Sequence, residues 1–468
     1  MNPDNRFKLS VMMFIQYVIW GAWLPLLNLY LEKYLNFNGD QRAWITNAFA
    51  IASLTGWLFG GQLADRYFEQ SKFLSFSHLI GGVSMLGLAF LKQLFPAPEG
   101  IAAGDFGYLF RPMFVLMLIH CFFYVPTLSM TNAIAFANLK DAQKDFGGVR
   151  VWGTIGWIAV SWPFIFLLAD WTKIQPIGEV GFVSWLGQVF GTPKTGQAME
   201  TGLTSTFLVS GLASLVLAAF CLTLPRTPPA KGEGSAFAPL ESLRLLAVPS
   251  ILVLFIVTFF DSLVHYCYFF WTSPFYSRIG LAENWIAPAM SIGQIAEIAT
   301  MAYLGFFLKR LGWRTTMILG ILGHVIRFGL YSIGSQFPGD NVWIAIVIGS
   351  NLVHGFAYAF FFATVYIFVD ENFPKDVRTS AQSLFNLLIL GLGPLIGNVI
   401  WGRLGDQLTT VAADGTKTID FFTLFLYPLG FGILATAILT IFFHPPRKEA
   451  ATKEEYPADS PKELLNPV

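Results

Sequence analysis

The chain has 468 residues, of which 54% are hydrophobic and 12% charged, against about 25% charged in an average soluble domain. Its 29 basic and 29 acidic residues cancel, which excludes the basic footprint of a nucleic-acid binder. The three cysteines (Cys121, Cys221, Cys267) each sit alone in an apolar run, which excludes a disulfide framework or a cysteine-held metal. What remains is an all-α, polytopic membrane protein.

A helix needs about 20 apolar residues to cross a bilayer. Twelve runs meet that length, centred near Trp20, Ala52, Val83, Leu118, Val160, Leu215, Phe260, Glu297, Leu322, Asn351, Leu390 and Gly432. The first follows Arg6 and Lys8 and continues past Leu31 without a small-residue cleavage site, so it reads as an uncleaved span. The fourth carries His120 and turns polar at Thr131 and Asn132. Between the fifth and sixth, Asp170 to Thr204 is an insertion of Gly, Pro and scattered charge, expected to be partly ordered. Between the sixth and seventh, a stretch rich in Pro, Gly and Ser reads as a linker. The expected organisation is a six-helix half at 1–224, a cytoplasmic linker at 225–243, a second six-helix half at 244–445 and a disordered tail at 446–468. Basic residues gather in the N-terminus, the even-numbered loops and the tail, which predicts that both termini are cytoplasmic.

The eighth run, Ala287 to Lys309, holds Gln294 and Glu297 near its middle. A carboxylate at that depth costs about 2.5–3.5 kcal/mol on insertion scales, so it is expected to face a cavity or handle a proton. Gln294 lies three residues earlier on the same face and taken alone reads as an interhelical hydrogen-bonding group that holds helices together. On the fifth run Arg150, Thr154 and Trp157 follow at i, i+4 and i+7, presenting a cation, a hydroxyl and an aromatic plane together. Arg150 suits equally well an interfacial anchor paired with Asp145. Asp261 and His265, one turn apart on the seventh run, read either as a proton relay or as a packed histidine. His324 and Arg327 on the ninth read as structural, with Arg327 a neutralising partner for Asp261. His78 and His120 read as packing groups, and Trp20, Trp23 and Tyr124 either as walls for a flat ring or, as for most tryptophans here, as interfacial and helix-contact aromatics.

The halves repeat one another. Gly61 to Arg66 follows the second run and Gly305 to Gly312 the eighth; Arg150 and Arg378 open the fifth and eleventh, each preceded by an aspartate, Asp145 and Asp376. Such symmetry is typical of secondary transporters. Asp65 and Arg66 read as a latch between helices. No nucleotide-binding Gly-x-x-x-x-Gly-Lys-Ser/Thr and no His-Glu-x-x-His is present, which argues against a primary pump or a metallohydrolase.

The turn GQLADR at Gly61 to Arg66 resembles the signature loop of the major facilitator superfamily. QYVIWGAW (16–23), YVPTLSMTN (124–132), DFGGVRVWGTIGW (145–157), SIGQIAE (291–297) and VRTSAQ (377–382) together resemble the bacterial nucleoside:proton symporter family. The resemblance implies the major facilitator fold of twelve transmembrane helices in two six-helix halves, in the lipid of the bacterial inner membrane, and a monomer suffices for two halves around one site. It implies proton-driven import of nucleosides, no enzymatic activity and no cofactor beyond the proton. Its substrate residues map onto Arg150, Thr154, Trp157, Gln294, Glu297, His354 and Tyr358, with Glu297 also binding the coupling proton. Two departures bear on the solute. Ala359 stands where the family has an acid, and Tyr266 and Phe269 where it has amides. A proton-coupled porter of a sugar or an aromatic acid on the same fold is the alternative they leave open.

Overall fold

The computed structural model describes residues 3–56, 69–102, 104–139, 141–228, 242–372, 381–382, 384–414 and 416–444. The Gly61–Arg66 turn with Asp65 and Arg66, the centre of the linker, Asp376, Arg378 and the tail lie outside them.

The described chain is helical almost throughout. In order it forms α1 (Pro3–Leu29), α2 (Gly39–Thr55), α3 (Gln70–Ala89), α4 (Phe110–Asn138), α5 (Ala142–Ser161), α6 (Gly196–Cys221), α7 (Pro249–Arg278) and α8 (Ile286–Gly334). α9 (Asn341–Asn372), α10 (Leu384–Gln407) and α11 (Phe421–Phe442) follow. Ten stretches among the described residues are long and apolar enough to cross a membrane. α2, with 17 described residues, falls short of that length. α8 exceeds it twofold: 49 residues of helix at 1.5 Å each run to about 74 Å against about 30 Å of hydrocarbon. Its path breaks at Gly312, whose φ of 74° and ψ of 175° leave the helical region in a conformation that glycine adopts without a Cβ penalty.

Local chemistry sets the helix starts. Asn38 caps α2, its Oδ1 accepting from Gln41 N while Gln41 Oε1 accepts from Asn38 N, a reciprocal capping box. Asp340 and Asp420 begin α9 and α11 with simple caps, their carboxylates accepting from Val342 N and Trp343 N and from Thr423 N. Hydrogen bonds from Thr423 hold the Asp420 carboxyl below its ordinary range. Between lipid-facing helices there is no hydrophobic drive, so close packing and buried polar contacts must hold them together. α1 packs on α5 and α6, and α3 on α4 and α6. α7 packs on α10 and α11, and α8 on α9 and α11. These two groups meet where α1 touches α7, α2 touches α10 and α5 touches α8.

One end of that seam is closed. Asp406 accepts from Gly39 N at 2.9 and 2.8 Å through its two oxygens, and Arg403 Nε bonds Asp40 at 2.8 Å. Asn398 Nδ2 donates to Asn47 at 2.9 Å. Arg42, buried, donates to Asn28 and to the carbonyl of Phe270, with its guanidinium 4.5 Å from the Phe270 ring and 4.2 Å from Trp271. Gly39 and Gly402 lie so close that a Cβ on either would overlap the other's backbone. Gly402→Leu is therefore expected to prevent this closure. Spin labels at Asn36 and Thr410, on opposite sides of the seam, should move apart in that variant; an unchanged distance would contradict the steric argument.

Two features go beyond the sequence pattern. The insertion folds into short helices at Ile177–Val180 and Phe182–Gly191. It seats on the start of α8, where Asn284 Nδ2 reaches the carbonyls of Ile165, Val189 and Phe190 and Trp285 Nε1 donates to Phe190. A two-stranded hairpin, β1 (Thr409–Val411) with β2 (Lys417–Ile419), links α10 to α11.

Candidate functional site

A cavity of about 610 Å³ opens along the seam, walled by α1, α2, α4 and α5 on one side and α7 to α10 on the other. All seven residues that the sequence nominates for substrate line it: Arg150, Thr154 and Trp157 from α5, Gln294 and Glu297 from α8, His354 and Tyr358 from α9. The i, i+4, i+7 spacing on α5 does what helical geometry demands and turns its three groups to one side. Tyr358 begins a π-helical turn, Tyr358–Ala363, a distortion often found at functional positions.

Arg150 is positioned from α1. Its Nη2 donates to Tyr17 Oη at 2.9 Å and its guanidinium lies 4.4 Å from the Tyr17 ring. The anchoring alternative, a pair with Asp145, does not form: Asp145 lies 3.7 Å from Arg6 Nη1. Nearby, Trp20 stacks on Phe49 at 4.7 Å and meets Trp157 edge-on at 5.3 Å. Glu297 is half-buried at the cavity wall. Its backbone is held against α9 at Gly355, where a Cβ would overlap Ala296 and Glu297.

Four polar atoms on cavity-lining residues are buried without a hydrogen-bond partner among the described residues: Trp20 Nε1, Asn132 Oδ1, His265 Nδ1 and Gln294 Oε1. Buried polar groups are rarely left so. The set holds both donor and acceptor capacity, which fits a polar solute entering the cavity. With a guanidinium, a hydroxyl and two indoles, the wall can donate to carbonyls, accept from N–H or O–H groups and stack on a planar ring.

Other sequence readings separate here. Trp20 lines the cavity, whereas Trp23 packs at 6.1 Å from the His120 ring and Tyr124 spends its hydroxyl on the Gln16 carbonyl at 2.6 Å. His78 bonds Gln16 and Ser214, and His120 bonds the Gly81 carbonyl. His265, Tyr266 and Phe269 reach the cavity, while Ala359 is buried away from it. Tyr17, Asn132, Tyr366 and Asn386 line it too; of these, only Tyr17 and Asn132 fall in the segments that sequence comparison singled out.

The neighbours of Asp261 differ from the sequence reading. Its oxygens find no hydrogen bond from His265 among the described residues; the group facing it is His324 Nε2, 3.7 Å from Oδ1. Arg327 is the cation that acts on Asp261 by charge but makes no hydrogen bond to it, its Nη1 and Nη2 going to Nδ1 of His354 and of His324 at 2.7 and 2.8 Å.

The chain matches the family model described as "Nucleoside H+ symporter" over residues 4–177 and 167–448. It is 31% identical over 406 residues to YegT of Escherichia coli (strain K12), provisionally named a nucleoside transporter, covering 86% of this chain and 84% of that protein. It is 25% identical over 460 residues to the xanthosine permease of the same organism, covering 94% and 97%. Among solved structures, the crystal structure of the nucleoside transporter NupG superposes with a TM-score of 0.73 at 23% identity, covering 95% of this chain and 99% of that one. Helices, cavity and these likenesses agree on an integral multi-pass transporter of major facilitator type, and the chain belongs to the nucleoside H+ symporter family.

Proposed function

We propose that the protein imports nucleosides together with protons by alternating access, its solute held in the cavity between α5 and α8–α9. The observation that carries this reading is the convergence of Arg150, Thr154 and Trp157 on Gln294, Glu297, His354 and Tyr358 across one cavity. Its volume, about 610 Å³, suits a small-molecule site of about 300–1,000 Å³. In this reading the base packs against the Trp157 and Trp20 indoles, which stand edge-on to one another, Arg150 and Thr154 donate to its carbonyls, and Gln294 Oε1 accepts from N–H or ribose hydroxyl. Glu297 takes the proton. Proton and solute then strengthen one another's binding by the same factor, as linkage requires.

The organisation that goes with it is twelve spans in two six-helix halves, 1–224 and 244–445, joined by the linker at 225–243 and followed by the tail at 446–468. The break at Gly312 supports counting α8 as two spans, and α2 supports one more. We take the protein as a monomer in the bacterial inner membrane with both termini cytoplasmic. The closed end of the seam then faces outward. The cavity, which reaches Gly56, Tyr366 and Asn386 near the opposite helix ends, belongs to an inward-facing form. Glu297 loads its proton from outside, and releases it inward after the halves rock. Asp65 and Arg66 serve as the cytoplasmic latch.

Tyr266 and Phe269 on the cavity wall favour a second reading, a porter of an aromatic acid whose carboxylate meets Arg150. Uptake of radiolabelled uridine and adenosine into proteoliposomes under an inward proton gradient separates the two, with glucose and phenylpropionate in parallel. Nucleoside accumulation that collapses with a protonophore is expected. Phenylpropionate uptake without nucleoside uptake would replace the first reading by the second.

A further inference from the structure

Behind the cavity wall, α7, the second limb of α8 and α9 enclose a chain of charged and imidazole groups. Asp261, His324 and Arg327 are fully buried and His354 is 2% exposed. Arg327 sits at the centre, bonded to Nδ1 of both His324 and His354, with its guanidinium 4.2 Å from the Tyr268 ring. A guanidinium only donates, so each Nδ1 must be the acceptor and each neutral ring carries its hydrogen on Nε2. His324 therefore turns its Nε2–H toward Asp261 Oδ1, 3.7 Å away, too far for a hydrogen bond. Neither Asp261 oxygen has a hydrogen-bond partner among the described residues.

An ionised carboxylate without hydrogen bonds is among the costliest groups to keep inside a protein, and a proton relieves it. A ring able to carry a proton toward it lies on the same helix. His265 stands one turn from Asp261 on α7, lines the cavity, and has a buried Nδ1 without a partner. Its ring centroid lies 5.8 Å from that of His324 and 5.3 Å from that of His354.

The remaining titratable neighbours are few. α7 adds Tyr266, Cys267, Tyr268 and Tyr276; α8 adds Tyr331 and, on its first limb, Glu297; α9 adds Tyr358. α1, packed on α7, brings Tyr17 to the cavity side. α10 bears Arg403 and Asp406 at its far end, engaged with Asp40 and Gly39. α11 bears only Tyr427, which is exposed. Arg327 is thus the cation that faces Asp261, and imidazoles stand between the two.

We propose that Asp261 is a proton-binding residue of the transport cycle, additional to Glu297, loaded from the cavity through His265 and linked to the solute through His324, Arg327 and His354. This deepens the proton-coupled reading of the cavity and rests on it. The His265 ring takes a proton from hydronium in the cavity at one nitrogen, leaving water, and gives up the proton on the other. An N–H bond breaks there as an O–H bond forms on Asp261. The carboxylate charge is then gone, and Arg327 is left as an unbalanced cation held to His354 in the cavity wall. Electron-rich groups of a solute beside His354 are bound more tightly in that state, which couples the second proton to the solute.

Infrared difference spectra of the lipid-reconstituted protein, recorded across a pH titration, test proton binding without any solute. Asp261 is the only fully buried aspartate among the described residues. A protonated-carboxyl band that shifts on ¹³C labelling of aspartate is expected in the wild type, lost in Asp261→Asn and kept in Glu297→Gln. Absence of a shifting band from the wild type overturns the proposal, and this needs no variant to fold. Coupling is read from the steady accumulation of uridine at a gradient of one pH unit and zero potential. Two coupled protons sustain about 100-fold and one about 10-fold. About 100-fold is expected for the wild type and about 10-fold for Asp261→Asn; equal ratios for the two would remove Asp261 from the cycle. A wild type that accumulates no nucleoside at all counts against the solute reading, while the aspartate band still decides whether Asp261 binds a proton.

Discussion

Glu297→Gln is expected to cut proton-driven accumulation of nucleoside at least tenfold per pH unit of gradient while leaving exchange of labelled for unlabelled solute intact. The amide keeps the shape and one hydrogen-bond acceptor of the side chain but cannot take up a proton. Solute can still enter a half-buried site whose other walls are unchanged. Combined with Asp261→Asn, the inside and outside concentrations should run to equality. Counterflow in proteoliposomes checks the first claim and the accumulation ratio the second. A Glu297→Gln protein that concentrates uridine as well as the wild type would leave the proton without its proposed carrier at the solute.

Arg150→Ala is expected to weaken solute binding by about 10–100-fold, the span that corresponds to a charge-assisted hydrogen bond of about 1.5–3 kcal/mol. Arg150 is the one cation that lines the cavity among the described residues, so no neighbour replaces its donors. Lysine is a poor substitute, since a point charge does not reproduce the planar fork. Tyr17→Phe should act in the same direction and more weakly, because it removes the hydroxyl that accepts from Arg150 Nη2 at 2.9 Å and leaves the guanidinium itself in place. Equilibrium binding to detergent-purified protein measures all three. An Arg150→Ala protein with wild-type affinity would return Arg150 to the role of an anchor.

Much of the site was readable because membrane helices obey a narrow grammar. A carboxylate in mid-span is expensive, so Glu297 advertised itself, and the period of the helix was enough to group Arg150 with Thr154 and Trp157. What periodicity cannot give is which distant helix answers a given face. Asp261 and His265 share a helix turn, yet the ring that faces Asp261 is His324, from a helix that sequence spacing does not connect to it. Arg150 had an acid five residues away, but Asp145 turned to Arg6 on α1. Tyr17 was hidden by abundance: with 15 tyrosines and 47 phenylalanines, aromatic identity alone discriminates nothing. The seam contacts of Gly39, Asp40 and Arg42 with Gly402, Arg403, Asp406 and Phe270 join residues more than 200 positions apart. Their sequence neighbourhoods look like ordinary polar loop ends.

The measurement that tests the account most directly is uridine affinity of the purified protein as a function of pH, with Glu297→Gln beside it. Proton uptake on solute binding means that affinity tightens as pH falls, by up to about tenfold per pH unit for each proton taken up. The wild type should show that slope, and Glu297→Gln should show it reduced by one proton. An affinity independent of pH in the wild type, or the same profile in both proteins, would contradict the claim that the cavity binds solute and proton as one coupled event.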